Sequence, residues 1–446
     1  MKPVNKFLTA LTLCFIVLFV SRPAISARQI ASREILPNGI TLLHAERKSL
    51  PIVTVVVAIK AGSVVEPPGK AGLANLTVEL LNEGTKKRSS KDISEEIEFV
   101  GGTLDASGGS DYITVTLSVL KKDLALGFDI LSDIIINPAF SYDEMERLKS
   151  IIKSSIIRQK EEPHEVASKA FLKAVYGDHP YGRPVEGTEE TIENITRQDI
   201  VNFHSAYYVP NNTIMSVVGD VSSNELKSLI DTYMRGWKKA EIKDPALPDL
   251  NFSDKTRVIK IDKKITQSNI IIGHLGIKRD NPDYYAVSVM NYILGGGGSA
   301  SRLMDNIREN RGLSYDVYSF FSAGKYAGNF QAGLQTKNQT ANEAITEILK
   351  EMERMRTQPV TDKELEDAKA YLTGSFPLRI DTNSKIAGFL IGVEFFDLGL
   401  DYVNGYKKFI NSVTKDDILR VSRKYLDPDH YILIVVGDLE KAALTY

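Results

Sequence analysis

The run 52–61 is apolar almost throughout and rich in valine, which predicts a strand buried on both faces. Ahead of it, 35–44 turns about Pro37-Asn38-Gly39 and predicts a hairpin. Residues 112–120 alternate threonine or serine with apolar side chains, the period of a half-buried strand. Helical spacing governs 71–82, 122–135, 142–161 and 163–175. The second half opens in the same style, with strands predicted at 257–261 and 268–277 and helices at 284–294 and 301–310. Strands follow at 314–322 and 329–335, and the rest is mostly helical. Hairpins and helix runs without strict alternation indicate the α+β class, each half a mostly antiparallel sheet with helices packed on it.

The likeness of the halves extends to identity. Thr196-Arg-Gln-Asp-Ile200 matches Thr414-Lys-Asp-Asp-Ile418, Tyr207 matches Tyr425, and Pro210 matches Pro428. Val217-Val-Gly-Asp220 returns as Val435-Val-Gly-Asp438, every pair at an offset of 218 positions. The shared unit reads as a helix capped by threonine, a Tyr-x-x-Pro turn and a buried strand. A period this long is a domain duplication, not a solenoid. The halves are placed at 28–237 and 256–446. Residues 238–255 carry two prolines, several charges and no clear period, and read as a linker.

The N-terminus bears on compartment. Lys2 and Lys6 precede an apolar run at 7–20, followed by Ser21-Arg-Pro-Ala-Ile-Ser-Ala27. A charged start, an apolar core and a small closing residue predict a secretory signal peptide over 1–27, cleaved after Ala27. As a helix the run reaches about 21 Å, short of the roughly 30 Å hydrocarbon core, so no stable span is expected after processing. Export is therefore expected, with the periplasm as destination. The single cysteine, Cys14, lies inside this segment and excludes disulfides and cysteine metal clusters. A formal charge of −2 gives no basic field for nucleic acid.

Several segments together resemble the pitrilysin/insulinase superfamily, the inverted zincins that include the mitochondrial processing peptidases. They are Lys60-Ala-Gly-Ser63, Gly69-Lys-Ala-Gly-Leu-Ala74, Glu83-Gly-Thr85 and His179-Pro-Tyr-Gly-Arg-Pro184. Leu294-Gly-Gly-Gly-Gly-Ser299 and Arg308-Glu-Asn-Arg-Gly-Leu-Ser-Tyr315 follow in the second half. The resemblance implies two homologous domains facing across a cavity. It also implies H-x-x-E-H on a helix: two histidines on one helical face bind zinc, and the glutamate acts as general base on the metal-bound water.

This sequence departs at those positions. Asn75 and Glu79 stand at the histidines and Val78 at the base, with Glu83-Gly-Thr85 at the family's spacing. The third ligand, a glutamate in the family, falls at Ser154 or Ser155. Valine accepts no proton, and asparagine or serine oxygens are poor partners for this borderline-soft ion. The histidines of the chain are His44, His164, His179, His204, His274 and His430, no two spaced three or four apart. No metal is expected in this chain.

A second constellation is kept. In active members of the superfamily the C-terminal half supplies an arginine and, seven residues later, a tyrosine, both aimed at substrate near zinc; Arg308 and Tyr315 match that spacing. Arginine's fork of donors can grip a peptide carbonyl, and a phenol can donate to an oxyanion. Arg311 is near enough to compete for the first role. Gly295–Gly298 lacks the Gly-Lys-Ser/Thr ending of a phosphate loop and reads as a helix-to-helix turn. Gly101-Gly102 and Gly108-Gly109 read as turn or sheet-edge chemistry, in a region where the family pairs extended substrate with an edge.

Loss of the metal site with retention of Arg308 and Tyr315 predicts division of labour. The expected role is a non-catalytic, substrate-binding subunit of a heterodimeric zinc metallopeptidase. A homologous partner with intact H-x-x-E-H would carry the zinc, and a peptide would be the substrate. The alternative is a structural or peptide-binding protein that kept the fold without the chemistry, as core subunits of respiratory complexes did. A self-sufficient enzyme with other chemistry is a third reading.

Overall fold

A computed structural model describes residues 30–446 apart from 244 and 253, so the expected signal peptide lies outside the described residues. The first half builds a six-stranded sheet from β1 (Ser32–Ile35), β2 (Thr41–Glu46), β3 (Ile52–Ile59), β4 (Thr103–Ser107), β5 (Ile113–Leu120) and β6 (Thr213–Gly219). Their order is β1-β2-β6-β3-β5-β4. The second half builds a five-stranded sheet from β7 (Arg257–Asp262), β8 (Gln267–Leu275), β10 (Ser314–Phe321), β12 (Asn329–Lys337) and β13 (Ile432–Gly437). The short strands β9 (Ile277–Lys278) and β11 (Ala323–Gly324) form a separate pair.

Read from its far edge, the second sheet runs β7-β13-β8-β12-β10 and reproduces β2-β6-β3-β5-β4 strand for strand. The pairing sense agrees as well. β6 runs parallel to β2 and antiparallel to β3, as β13 does to β7 and β8. The duplication is thus one of topology as well as of letters. The repeated threonines cap equivalent helices: Thr196 on Arg197–Tyr207 and Thr414 on Lys415–Tyr425, each in a capping box with the aspartate three residues on.

Each sheet buries one face under its own half. Val53, Val55, Val57 and Ile59 of β3 join a core with the helix Leu124–Ile136, and Ile270 and Ile272 of β8 join one with the helix Ala341–Thr357. The opposite faces are covered by exchange. The helix Asn383–Phe395 lays Ile386, Ala387, Leu390 and Ile391 on Leu43, Val56, Ala58, Ile214 and Val218 of the first sheet. In return the helix Pro163–Tyr176 lays Ala167, Phe171 and Ala174 on Ile271, Ile432, Ile434 and Val436 of the second. Shifted by 218 positions the second of these helices nearly overlies the first, so the exchanged elements are themselves duplicates. A bidentate Arg33–Glu394 pair at 2.8 Å and the Arg257 bond to the Ala174 carbonyl at 3.1 Å tie the exchange at its ends.

Several expected elements are shorter or divided. The helix expected at 71–82 is Leu73–Glu79 followed by a tighter turn at Leu80–Glu83. The segments 284–294 and 301–310 end in π-helical turns, Tyr292–Gly296 and Met304–Asn310. Some elements were not expected from the sequence, the helices Glu189–Asn194 and Ser223–Met234 among them. The helix Ser90–Phe99 and the polar edge strand β4 carry too few apolar residues to stand out.

Candidate functional site

The helix Leu73–Glu79 starts from a left-handed Gly72, and a buried carboxylate fixes that start. Glu66 Oε1 accepts the N–H of Gly72 at 3.1 Å and of Ala74 at 2.8 Å, while its Oε2 has no partner among the described residues. Burial pushes this carboxyl up to about 8 against those backbone bonds. Sequence reasoning missed Glu66; the signal was an isolated acid between the apolar Ser63-Val-Val and the glycine-flanked helix start.

The folded pKa of Glu66 lies above the unfolded value, so the stabilising contribution is full below about pH 4.5 and is lost as pH rises through about 8. The part of wild-type stability that Glu66 contributes should therefore fall between pH 5 and pH 8.5. Glu66→Gln keeps an acceptor and cannot ionise, so it should flatten the curve by on the order of 4 kcal/mol. Denaturant titrations across pH measure this, and parallel curves for the two proteins would refute it.

On the same helix Asn75 and Glu79, one turn apart, face the same way and are joined by a 2.7 Å bond from Asn75 Nδ2 to Glu79 Oε1. Burial raises the Glu79 carboxyl, opposed by that bond. Val78 is fully buried in the apolar core. The β4–β5 turn closes over this helix: a Cβ on Gly108 would stand 2.5 Å from Asn75 Oδ1 and 3.1 Å from its Cα, so only glycine permits the approach. The helix Tyr142–Gln159 packs nearby, and its Ser154 is exposed, spending its hydroxyl on the Ser150 carbonyl at 2.8 Å. Glu83, beyond the helix, pairs with Arg147 and accepts from Ser90 at 3.2 Å. Among the described residues no group of three or more His, Cys, Asp or Glu side chains is placed to hold a metal. The donor set at 75, 78, 79 and 154 does not fit the zinc that the resemblance implies, and no step of chemistry is derived through a metal in this chain.

The second constellation is brought together. Arg308 lies in the π-helical turn Met304–Asn310, with its guanidinium 4.9 Å from the centroid of the Tyr315 ring. Tyr315 is 84% exposed. A bulge between Ser314 and Val317 interrupts β10, the edge strand, and Ser314 Oγ pins it by bonds to the carbonyls of Asp316 (2.6 Å) and Gln335 (2.7 Å). Such a bulge re-aims a side chain, here Tyr315. Arg311 is committed elsewhere. It binds Asn306 Oδ1 at 3.0 Å, Glu343 at 3.1 Å and Glu347 at 3.3 Å, bracing the turn against the helix Ala341–Thr357. Arg308 meets only its exposed neighbour Glu309, at 3.5 Å, among the described ion pairs. The arrangement offers a cationic fork and a phenol at an open sheet edge, able to hold a peptide carbonyl and to donate to an oxygen.

The insulinase (peptidase family M16) profile matches residues 42–189, and the peptidase M16 inactive domain profile matches 194–372. An uncharacterized zinc protease of Mycobacterium leprae is 30% identical over 358 residues, covering 79% of this chain and 80% of that protein. This chain belongs to peptidase family M16. A second relative, an uncharacterized zinc protease of Bacillus subtilis, is 27% identical over 78% of this chain and 85% of its own. The crystal structure of a peptidase M16 inactive domain from Pseudomonas fluorescens matches with a TM-score of 0.86 at 27% identity, covering 91% of this chain and 98% of that one. A protease from Helicobacter pylori shares the fold, with a TM-score of 0.84 at 21% identity, covering 92% of this chain and 99% of that one. The two-sheet α+β architecture is therefore the M16 fold.

Proposed function

We propose that this chain is the non-catalytic, substrate-binding subunit of a heterodimeric zinc metallopeptidase. Its duplicated halves, 28–237 and 256–446, joined by the linker 238–255, hold a peptide for a partner. That partner is a homologous M16 subunit with intact H-x-x-E-H, which supplies zinc and general base. Arg308 grips a carbonyl of the bound peptide, and Tyr315 donates to the oxyanion as the tetrahedral intermediate forms. One observation carries the reading: Asn75, Val78, Glu79 and Ser154 make a donor set unfit for zinc, while Arg308, half-buried, and the exposed Tyr315 lie against each other. The deciding experiment is co-purification with a homologue bearing H-x-x-E-H, then peptide hydrolysis with and without this chain. Hydrolysis by the partner alone at the full rate would remove the proposal.

Export completes it. The charge–apolar–small order of residues 2–27 supports cleavage after Ala27 and action in the periplasm. Mass spectrometry of protein recovered from the cell should find Arg28 or a near neighbour at the N-terminus, and elemental analysis should find no stoichiometric zinc. One tightly held zinc per chain would contradict the division of labour, and an intact Met1 on exported protein would indicate an anchor.

A structural or peptide-binding role without chemistry is the second reading. The edge strand β4 favours it, with Thr103, Asp105 and Ser107 exposed and β5 its one strand neighbour among the described residues, an edge open to strand addition.

A further inference from the structure

A cavity of about 420 Å³ opens beside Tyr315, lined by His164, Asn269, Ser314, Asp316, Tyr318 and Gln335 among others. Both halves build it, because His164 comes from the first turn of the exchanged helix Pro163–Tyr176. Asn269 sits in β8, opposite Gln335 of β12 and two residues from Ile271, which packs under that helix. An asparagine there is out of keeping with its surroundings. It opens the Asn-Ile-Ile-Ile run of β8, is 7% exposed, and its Nδ2 has no hydrogen-bond partner among the described residues. A buried amide donor left unpaired is destabilising, and a ligand acceptor toward which the Asn269 side chain turns would relieve that cost.

The chemistry of the walls narrows the ligand. No lysine or arginine lines the cavity and Asp316 does, while Arg308, stacked on Tyr315, is taken up by the peptide carbonyl it grips in the proposed role, so a side-chain carboxylate would meet the Asp316 charge. An aliphatic side chain would leave the Asn269 donor unpaired. A carboxamide brings a neutral carbonyl acceptor for Asn269 and N–H donors for carboxylate and phenol oxygens. The volume suits one long side chain entering from a peptide laid along the β10 edge, at the lower end of ordinary ligand pockets.

We propose that this cavity is a specificity pocket for the side-chain carboxamide of glutamine in an extended peptide, with Asn269 as the residue that reads it. The proposal deepens the substrate-binding role and rests on it for biological meaning, but binding by this chain needs no partner and no hydrolysis. Phenols of Tyr315 and Tyr318 flank the entering chain, and Asn269 pairs with the carbonyl at the base.

The test uses the full purified chain and four fluorescein-labelled decapeptides of one polar sequence, differing only at a central Gln, Glu, Lys or Leu. Fluorescence polarisation should show the Gln peptide bound roughly tenfold more tightly than the other three. Asn269→Leu keeps the volume and removes the donor. It should leave the melting temperature unchanged or raised and reduce the Gln peptide to the affinity of the Leu peptide. Should Asn269→Leu fail to fold, His164→Ala at the other wall serves, with the Gln preference reduced. Equal binding of all four peptides, or a Gln preference intact in Asn269→Leu, overturns the pocket while leaving the subunit role to the reconstituted hydrolysis assay. No binding of any peptide by the chain also overturns it. A selective Gln pocket in a chain that never stimulates hydrolysis would uphold the pocket and move the protein to the peptide-binding role.

Discussion

Tyr315→Phe in the assembled peptidase is expected to lower kcat by about 10²–10³-fold with KM little changed, the cost of losing one oxyanion donor. The change deletes a hydroxyl and keeps the ring, so the 4.9 Å stacking of Arg308 on that ring should survive and assembly should be unaffected. Arg308→Ala should act differently. A guanidinium that grips the substrate backbone works in the ground state as well, so KM should rise as kcat falls. The double variant should lose less than the product of the two, because ring and guanidinium are in contact and hold one substrate segment. Steady-state kinetics of the reconstituted complex, with gel filtration as the check on assembly, decides the matter. Wild-type rates in both single variants would show that the pair is structural, and the role without chemistry would take the lead.

Phe171→Ala should destabilise the whole chain by about 3–5 kcal/mol, although the residue touches no proposed substrate contact. Phe171 is fully buried and belongs to the helix that the first half lends to the second. Its ring tip fits over Gly273 of β8, where a Cβ would stand 2.8 Å from the ring and 2.0 Å from the Phe330 carbonyl oxygen. Truncation opens a cavity under a helix that is held largely by Ala167, Phe171 and Ala174. Chemical denaturation of wild type and variant measures the loss; a difference below about 1 kcal/mol would mean the exchanged helix contributes little to the packing.

The sequence made the duplication legible because helix caps and strand ends tolerate few residue types. Thr196 and Thr414 must offer a side-chain acceptor, and Gly219 and Gly437 end the central strands, so the letters persist where the backbone demands them. The strands β3, β5 and β8 were readable for the same reason, from valine, isoleucine and alternation. The exchange was not readable. Nothing in the amphipathic pattern of Pro163–Tyr176 says whose sheet its apolar face will meet, since Ile271 and Ile434 offer a surface chemically like Val56 and Ile214. At the site, the resemblance to the pitrilysin/insulinase superfamily picked out Asn75, Val78, Glu79, Arg308 and Tyr315, but left Arg308 and Arg311 in competition. Geometry separates them, because Arg311 is engaged by Asn306, Glu343 and Glu347. Glu66 and Asn269 were invisible for a common reason: each is a lone polar residue whose meaning depends on burial.

The exchange of helices also sets the order in which the chain can become compact. As the polypeptide is synthesised, the first sheet is complete once β6 has emerged, yet Leu43, Val56, Ala58, Ile214 and Val218 then have no cover. Their partner helix begins at Asn383, on the order of 160 residues later. Throughout that interval the nascent chain presents an apolar sheet face to water, the kind of surface that recruits chaperones or self-associates. Neither half expressed alone should therefore be a stable product, and the last third of the chain decides whether the first half stays soluble.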